Sequence, residues 1–170
     1  MQVVGDFLRA HCLNNRGEHD IALFARSAYN RYYYNCYWIV AEIVLDLGTT
    51  KRPDHGSKLY GQLKELCRIK ISNMSNVSLT KEEEILASIA NDALSHIGKP
   101  LTELFEAREA ADYQKDCVIS IGDDVALKYI KKSDRKTEVN ITTLEMLEKT
   151  QAVSQHAQTI KTSLQKLGII

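Results

Sequence analysis

Lys128, Lys131, Lys132, Arg135 and Lys136 fall within nine residues, with Tyr129 among them, and form the one concentrated positive patch of the chain. Ammonium and guanidinium groups at that density can hold phosphate oxygens of RNA or of a nucleotide, and binding of that kind weakens steeply with salt. The same residues also suit a solvated hairpin whose lysines guard an edge strand, or a docking strand that pairs with a partner protein. A second constellation is Arg108, Asp112 and Tyr113, which stand at i, i+4 and i+5 of a helical segment. They form either an ion pair that positions helices or, facing Arg26 and Tyr29, part of a polar network. A third is Asn91-Asp92-Ala93-Leu94-Ser95-His96, whose imidazole can move a proton near neutral pH. The plainer role for His96 is to meet the last helix carbonyls before Gly98.

Other chemistries find no residues to carry them. There is no glycine-rich phosphate loop, no H-E-x-x-H and no G-x-S-x-G, and Glu82-Glu83-Glu84 read as acids of a helix start. Cys12, Cys36, Cys67 and Cys117 are scattered and never form a C-x-x-C, so no zinc site and no disulfide framework is expected, and no cofactor. Lys+Arg and Asp+Glu are both 22, so no overall field draws the chain to nucleic acid or to an anionic membrane. No run reaches the roughly 20 apolar residues of a membrane span, and the N-terminal stretch lacks a basic, then apolar, leader pattern. A cytoplasmic protein with reduced thiols is the expectation.

With 170 residues and 44% hydrophobic content, the chain suits one compact domain over residues 1–170. Helical periodicity dominates. One stripe runs from Ala22 through Ala25, Tyr29, Cys36 and Ile43 to Leu47, capped by Asp20 and ended by Gly48. After the Lys51-Arg52-Pro53 turn, a second helix starts at His55 or Ser57 and ends near Ile69. Ser78-Leu79-Thr80 caps a third, which Gly98-Lys99-Pro100 breaks or kinks before a fourth runs to about Gln114. Thr142 or Thr143 caps a terminal helix that ends near Leu167. Between about 115 and 141 the pattern changes: Gly122-Asp123-Asp124 separates two β-rich runs and Ser133-Asp134-Arg135 precedes a third. This insertion is a β-hairpin or small meander, or else a short helix capped by Asp123 or Asp124. The fold class is mainly α: an up-and-down bundle of four to five helices with a small β insertion.

The first long helix is unusual. Tyr29, Tyr32, Tyr33, Tyr34 and Tyr37, five of the eight tyrosines, crowd into nine positions beside Trp38. Apolar residues run most of the way round it, more than a bundle of this length can cover. That predicts a homodimer or a close contact with another chain along this helix, with Tyr34, Tyr37 and Trp38 at the interface.

These segments also carry a resemblance. Arg26-Ser27-Ala28-Tyr29-Asn30-Arg31-Tyr32-Tyr33 resembles the sR-x-AYY-x-x-Y signature of HEPN domains, the helical family of higher eukaryotes and prokaryotes nucleotide-binding proteins. His55-Gly56-Ser57-Lys58-Leu59 resembles the H-x-G opening of that family's second helix, and Leu101 to Tyr113 is similar to its L-x-x-L-x-x-x-R-x-x-ADY segment. The resemblance implies a dimerising helical bundle that acts on RNA or nucleotides: a metal-independent ribonuclease toxin, an effector of antiviral defence, or a non-catalytic nucleotide-binding partner in a larger complex. Ribonucleases of the family carry an arginine four to six residues before a histidine, so that a guanidinium holds the phosphate while an imidazole handles the proton. No histidine here follows an arginine at that spacing, and Asn91 stands where the arginine before His96 would be. Asn91 can donate a hydrogen bond but brings no charge. A catalytic pair would then need Arg31, or Arg26 of a dimer mate, beside His96.

Overall fold

The structure, a computed structural model, describes residues 1–50, 52–75, 79–132 and 135–170. Among them it is mainly helical, with five helices and one small antiparallel sheet: α1 (Gln2–Asn14), α2 (Ile21–Asp46), α3 (Gly56–Ser75), α4 (Lys81–Tyr113), β1 (Val118–Ile121), β2 (Val125–Ile130), β3 (Glu138–Thr142) and α5 (Thr143–Lys166). Lys51 of the expected turn, Ser78 of the expected cap and Ser133-Asp134 before the third strand lie outside the described residues. No helix among the described residues is long and apolar enough to cross a membrane. The chain gathers into two compact units: Met1–Asn35 with Glu103–Thr150, and Cys36–Thr102 with Gln151–Ile170.

The first unit holds α1, the opening of α2, the last turns of α4, the whole sheet and the start of α5. Strand order is β1-β2-β3, with Ile121 opposite Val125 at the hairpin and Leu127 opposite Ile141 on the other side. On the central strand Val125, Leu127 and Tyr129 alternate inward, as a sheet with one covered face requires. The segment is thus a three-stranded meander, and the short-helix alternative does not hold. Its turn residue Asp124 has another task. Its carboxylate accepts from Arg9 Nε at 2.7 Å, from Thr143 Oγ1 at 2.7 Å and from the Leu144 N–H at 2.7 Å, so a side chain from the hairpin caps α5. Thr142 and Glu145 complete that helix start as a capping box, Thr142 N–H to Glu145 and Glu145 N–H to Thr142 Oγ1.

Three tyrosines of α2 are fully enclosed in this unit. The Tyr29 hydroxyl shares its proton between Val125 O at 3.0 Å and Ile141 O at 2.8 Å, which ties the helix to two strands at once. Tyr32 donates to Asp6 Oδ1 at 2.8 Å, and its ring lies flat against Gly5, where a Cβ would come within 3.0 Å of it. Tyr33 packs on Phe105 with ring centroids 5.5 Å apart.

In the second unit, α3 joins the closing turns of α2 and the longer parts of α4 and α5. The core is made by Val40, Ile43, Leu59, Leu63, Ile97 and Leu101, with Val153, Ile160 and Leu164 from α5. Where the sequence predicts two helices, α4 is one, and Pro100 sits inside it. A central proline removes one helical hydrogen bond at a cost of about 3 kcal/mol. Ile97 and Leu101 are both fully buried on either side of it, and abandoning the helical path there would forfeit several kcal/mol of burial. Gly98, one turn earlier than Thr102 and bonded through its carbonyl to that hydroxyl, lets the Tyr60 ring approach the helix backbone; a Cβ would stand 2.7 Å from it. Helix α3 also runs past Ile69 because Ile71 still packs inward. Gly48, at a φ of +93°, ends α2 in the left-handed conformation that glycine adopts without a steric penalty.

Replacing Asp124 by Asn should lower unfolding free energy by about 1–3 kcal/mol, because a charged acceptor shared by three donors is lost. Burial acts to raise the Asp124 pKa, but the bonds from Thr143, Leu144 and Arg9 outweigh it and hold the carboxyl below its ordinary range. A depressed folded-state pKa gives stability that is present above the unfolded value and lost as pH falls through the folded one. Denaturant titrations between pH 7 and pH 2 should therefore show wild-type and Asp124→Asn stabilities converging at the acid end.

Candidate functional site

Two helix segments of the first unit build the most organised polar cluster. Asn30 and Tyr34 stand one turn apart on α2, and Arg108, Asp112 and Tyr113 stand at the same spacing on α4. Arg108 Nε donates to Asn30 Oδ1 at 3.2 Å, while its Nη2 lies 3.1 Å from Asp112 Oδ2, 3.1 Å from the Tyr34 hydroxyl and 3.5 Å from that of Tyr113. Asn30 Nδ2 in turn donates to Asp112 Oδ1 at 2.6 Å. The guanidinium carbon is 5.4 Å from the Tyr34 ring centroid and 5.2 Å from that of Tyr113, within cation–π range of both. Side-chain exposures of 15% for Arg108 and 22% for Asp112 make this a partly desolvated pair. Burial opposes the charge on Arg108, yet Asp112, Tyr34 and Tyr113 outweigh it and raise its pKa further above the ordinary value.

The expected partners of this network were Arg26 and Tyr29, and both are engaged elsewhere. Arg26 donates to the Ala111 carbonyl, which caps the C-terminal end of α4 and counters its dipole. Tyr29 is enclosed, with its hydroxyl on the sheet carbonyls and its pKa pushed up chiefly by burial, so a ligand has no path to it. Asn30 and Tyr34 take their places. Asn30 lies between Tyr29 and Arg31 in the tyrosine-rich segment, where nothing local set it apart from Asn35.

The basic insertion is less exposed as a charge than its composition implies. Lys128 pairs with Glu138 at 3.0 Å, Lys131 with Glu106 at 3.4 Å, and Lys132 with Glu109 at 3.2 Å. Arg135 lines a pocket of about 460 Å³ together with Lys131, Lys132, Lys115, Asp116, Gln114 and Ile130. Lys115 was not singled out by the sequence, and Lys128 does not line this pocket. A smaller cavity of about 210 Å³ lies on the other side of Lys131, between Glu103, Glu106, Tyr129 and Lys149. There Glu106 Oε2 is shielded from water and has no hydrogen bond, since the Lys131 ammonium at 3.4 Å is close enough for ionic attraction but poorly aimed.

The proposed catalytic groups have separate surroundings. His96 and Asn91 are exposed residues of the second unit. His96 Nδ1 is 2.8 Å from the Asp92 carbonyl and 3.1 Å from Ser95 Oγ, and its ring stacks on His156 at 5.1 Å. Arg31 belongs to the first unit, is exposed, and has Met1 Sδ 3.7 Å from its Nη1. Of the expected interface residues, Tyr37 is buried, with its hydroxyl on the Pro53 carbonyl at 3.2 Å and its ring stacked on His55 at 4.4 Å. Trp38 is 54% exposed and meets Tyr37 edge-on. Among the described residues no group of three or more His, Cys, Asp or Glu is arranged to hold a metal ion.

Comparison with protein-family models, with curated proteins and with solved structures gave no match.

Arg108→Lys keeps the charge but loses the planar fork and the stacking between two rings. The variant should be less stable by about 1–3 kcal/mol in denaturant unfolding, with Asp112→Asn in the same background adding less than it does alone. Full additivity of the two would show that the cluster is not one network.

Proposed function

We propose that this chain is an HEPN-like protein of a prokaryotic defence or toxin-type system, and that it binds RNA or a nucleotide without cleaving it. The observation that carries this reading is the meeting of Asn30 and Tyr34 with Arg108, Asp112 and Tyr113. These residues come from the two segments whose sequences separately resemble the family, and their joining in one ion-paired, ring-stacked cluster is what a shared bundle core would require. Tyr113, at 65% exposure, adds an aromatic face on which a base can stack. Against cleavage stands His96: its hydrogen-bond and ring partners are Asp92, Ser95 and His156, with no guanidinium among them to offset charge on a scissile phosphate.

Self-association is the second part of the proposal. Trp38 and Leu45, two turns apart on α2 in the second unit, are 54% and 48% exposed. Large apolar groups repeated on one helical stripe favour a covering chain, and a second copy supplies the same stripe.

Purified protein incubated with tRNA and mixed RNA in EDTA should give salt-sensitive binding and intact RNA. Cleavage that disappears in His96→Ala would overturn the non-catalytic half of the proposal, and an absence of any binding would overturn the RNA half. In sedimentation the wild-type chain should run as a dimer and Trp38→Asp should shift it toward monomer; a monomeric wild type removes the self-association.

A further inference from the structure

The pocket at the C-terminal end of α4 has a charge and a shape that the RNA-binding reading alone does not explain. Its lining brings Lys115, just past the helix, against Lys131, Lys132 and Arg135 of the β2–β3 connection, with Asp116 as the one acid among the described residues of the wall. Two of these cations are already balanced, Lys131 by Glu106 and Lys132 by Glu109. The Lys132–Glu109 contact is largely exposed, and a more highly charged oxyanion competes for that ammonium well, whereas Lys131 stays with Glu106, whose Oε2 is shielded from water. Among the described residues no carboxylate meets Lys115 or Arg135.

A helix C-terminus ordinarily repels anions, since its last carbonyls carry partial negative charge. Here that field is answered. Ala110 O accepts from the Gln114 N–H at 3.1 Å, and Ala111 O accepts from the Arg26 guanidinium, which adds a further cation close to the helix end. Gln114 is itself fixed by a bond from Nε2 to Ile130 O at 3.1 Å, so the helix end and the strand that frame the pocket are joined directly.

The described part of the connection is shaped as well as charged. Arg135 has a φ of +54°, in the left-handed region that non-glycine residues seldom occupy. It is held there by its own N–H on Lys131 O at 2.9 Å and by the Lys131 N–H on Thr137 O at 2.8 Å. Uncommon backbone conformations of this kind gather at binding sites, where the surrounding bonds impose them.

We propose that this pocket binds a terminal phosphate monoester, borne either by a free nucleotide or by the end of an RNA strand. A volume of about 460 Å³ falls within the range of small-ligand sites, roughly 300–1,000 Å³. Its described lining comes from the helix end on one hand and from Ile130, Lys131, Lys132 and Arg135 on the other. An internal phosphodiester has sugar on both sides and a single charge, whereas a monoester presents three oxygens and a charge of about −1.5 to −2 near neutral pH. The cations of the wall match the second. This inference rests on the RNA- or nucleotide-binding reading and specifies its recognised end.

The test is fluorescence anisotropy with the full chain and matched labelled oligoribonucleotides carrying a 5′-phosphate, a 3′-phosphate or hydroxyl ends, with AMP and inorganic phosphate as competitors. Binding of a phosphate-ended strand should exceed that of the hydroxyl-ended one by at least about tenfold, and Lys115→Ala with Arg135→Ala should erase the difference while lowering the salt slope by about two. Circular dichroism would check that the double variant is folded. Competition by AMP as well as by the strand end identifies a site open to both sources; competition by neither the nucleotide nor inorganic phosphate, with the end preference retained, assigns it to RNA ends. Equal binding of all strands, or an end preference that survives the double variant, overturns the pocket and leaves the RNA-binding reading in place. Failure to bind any strand or nucleotide overturns both.

Discussion

A phenol hydroxyl removed from water must find an acceptor, and α2 buries three that do so outside the helix. Leaving such a group unpaired costs about 1–3 kcal/mol, a large share of the net stability of a small protein. In the first unit Tyr29 reaches the carbonyls of β2 and β3, and Tyr32 reaches Asp6 on α1. In the second, Tyr37 reaches the carbonyl of Pro53 ahead of α3. Each ring supplies apolar area to a core while its hydroxyl selects one segment of chain to lie against it. The crowding of tyrosines on one helix is therefore a set of positional instructions, and much of it is satisfied within a single chain. Surface left over for a partner narrows to residues such as Trp38 and Leu45.

What the sequence made legible follows from how local each signal is. The bounds of α2 and α5 were readable to within a residue or two, because apolar periodicity and capping residues sit in the same few positions; Thr142 with Glu145 and Thr80 with Glu83 are capping boxes that can be read directly. The meander was readable only as one of two options, since Gly122-Asp123-Asp124 between two β-rich runs also left a short helix open. Helix α1 was not. Its inward positions are Gly5, Leu8 and Cys12, while Val3 and Phe7 point outward, so the apolar pattern misrepresents the contact face. Pro100 misled for a related reason: its local penalty is visible in sequence, and the burial on either side that overrides it is not.

Charge shows the same divide. A basic patch read from consecutive lysines counts neighbours along the chain, whereas Glu106 and Glu109, which answer Lys131 and Lys132, come from α4 more than twenty positions earlier. Arg108 and Asp112 were legible as an i, i+4 pair, but Asn30 and Tyr34, which make the pair a network, could be joined to it only by the fold. Sequence thus identified the chemistry of the cluster and missed two of its five members.

Arg108 also sets a limit on what the cluster can do. A guanidinium bonded on two of its nitrogens and covered by two rings is well compensated for its loss of water, and pulling it out to meet a ligand would strand Asp112 in a partly desolvated position. Its charge is accordingly structural: it holds α2 to α4 in the first unit and fixes the direction of Tyr113. Recognition of a phosphate has to come from groups whose present partners are cheap to leave. The exposed Lys132–Glu109 pair, worth about 0–1 kcal/mol, meets that requirement, while Lys131 is kept in place by the water-shielded Glu106. Division of labour between a fixed buried cation and exchangeable surface ones makes affinity strongly dependent on salt and leaves the fold nearly indifferent to it.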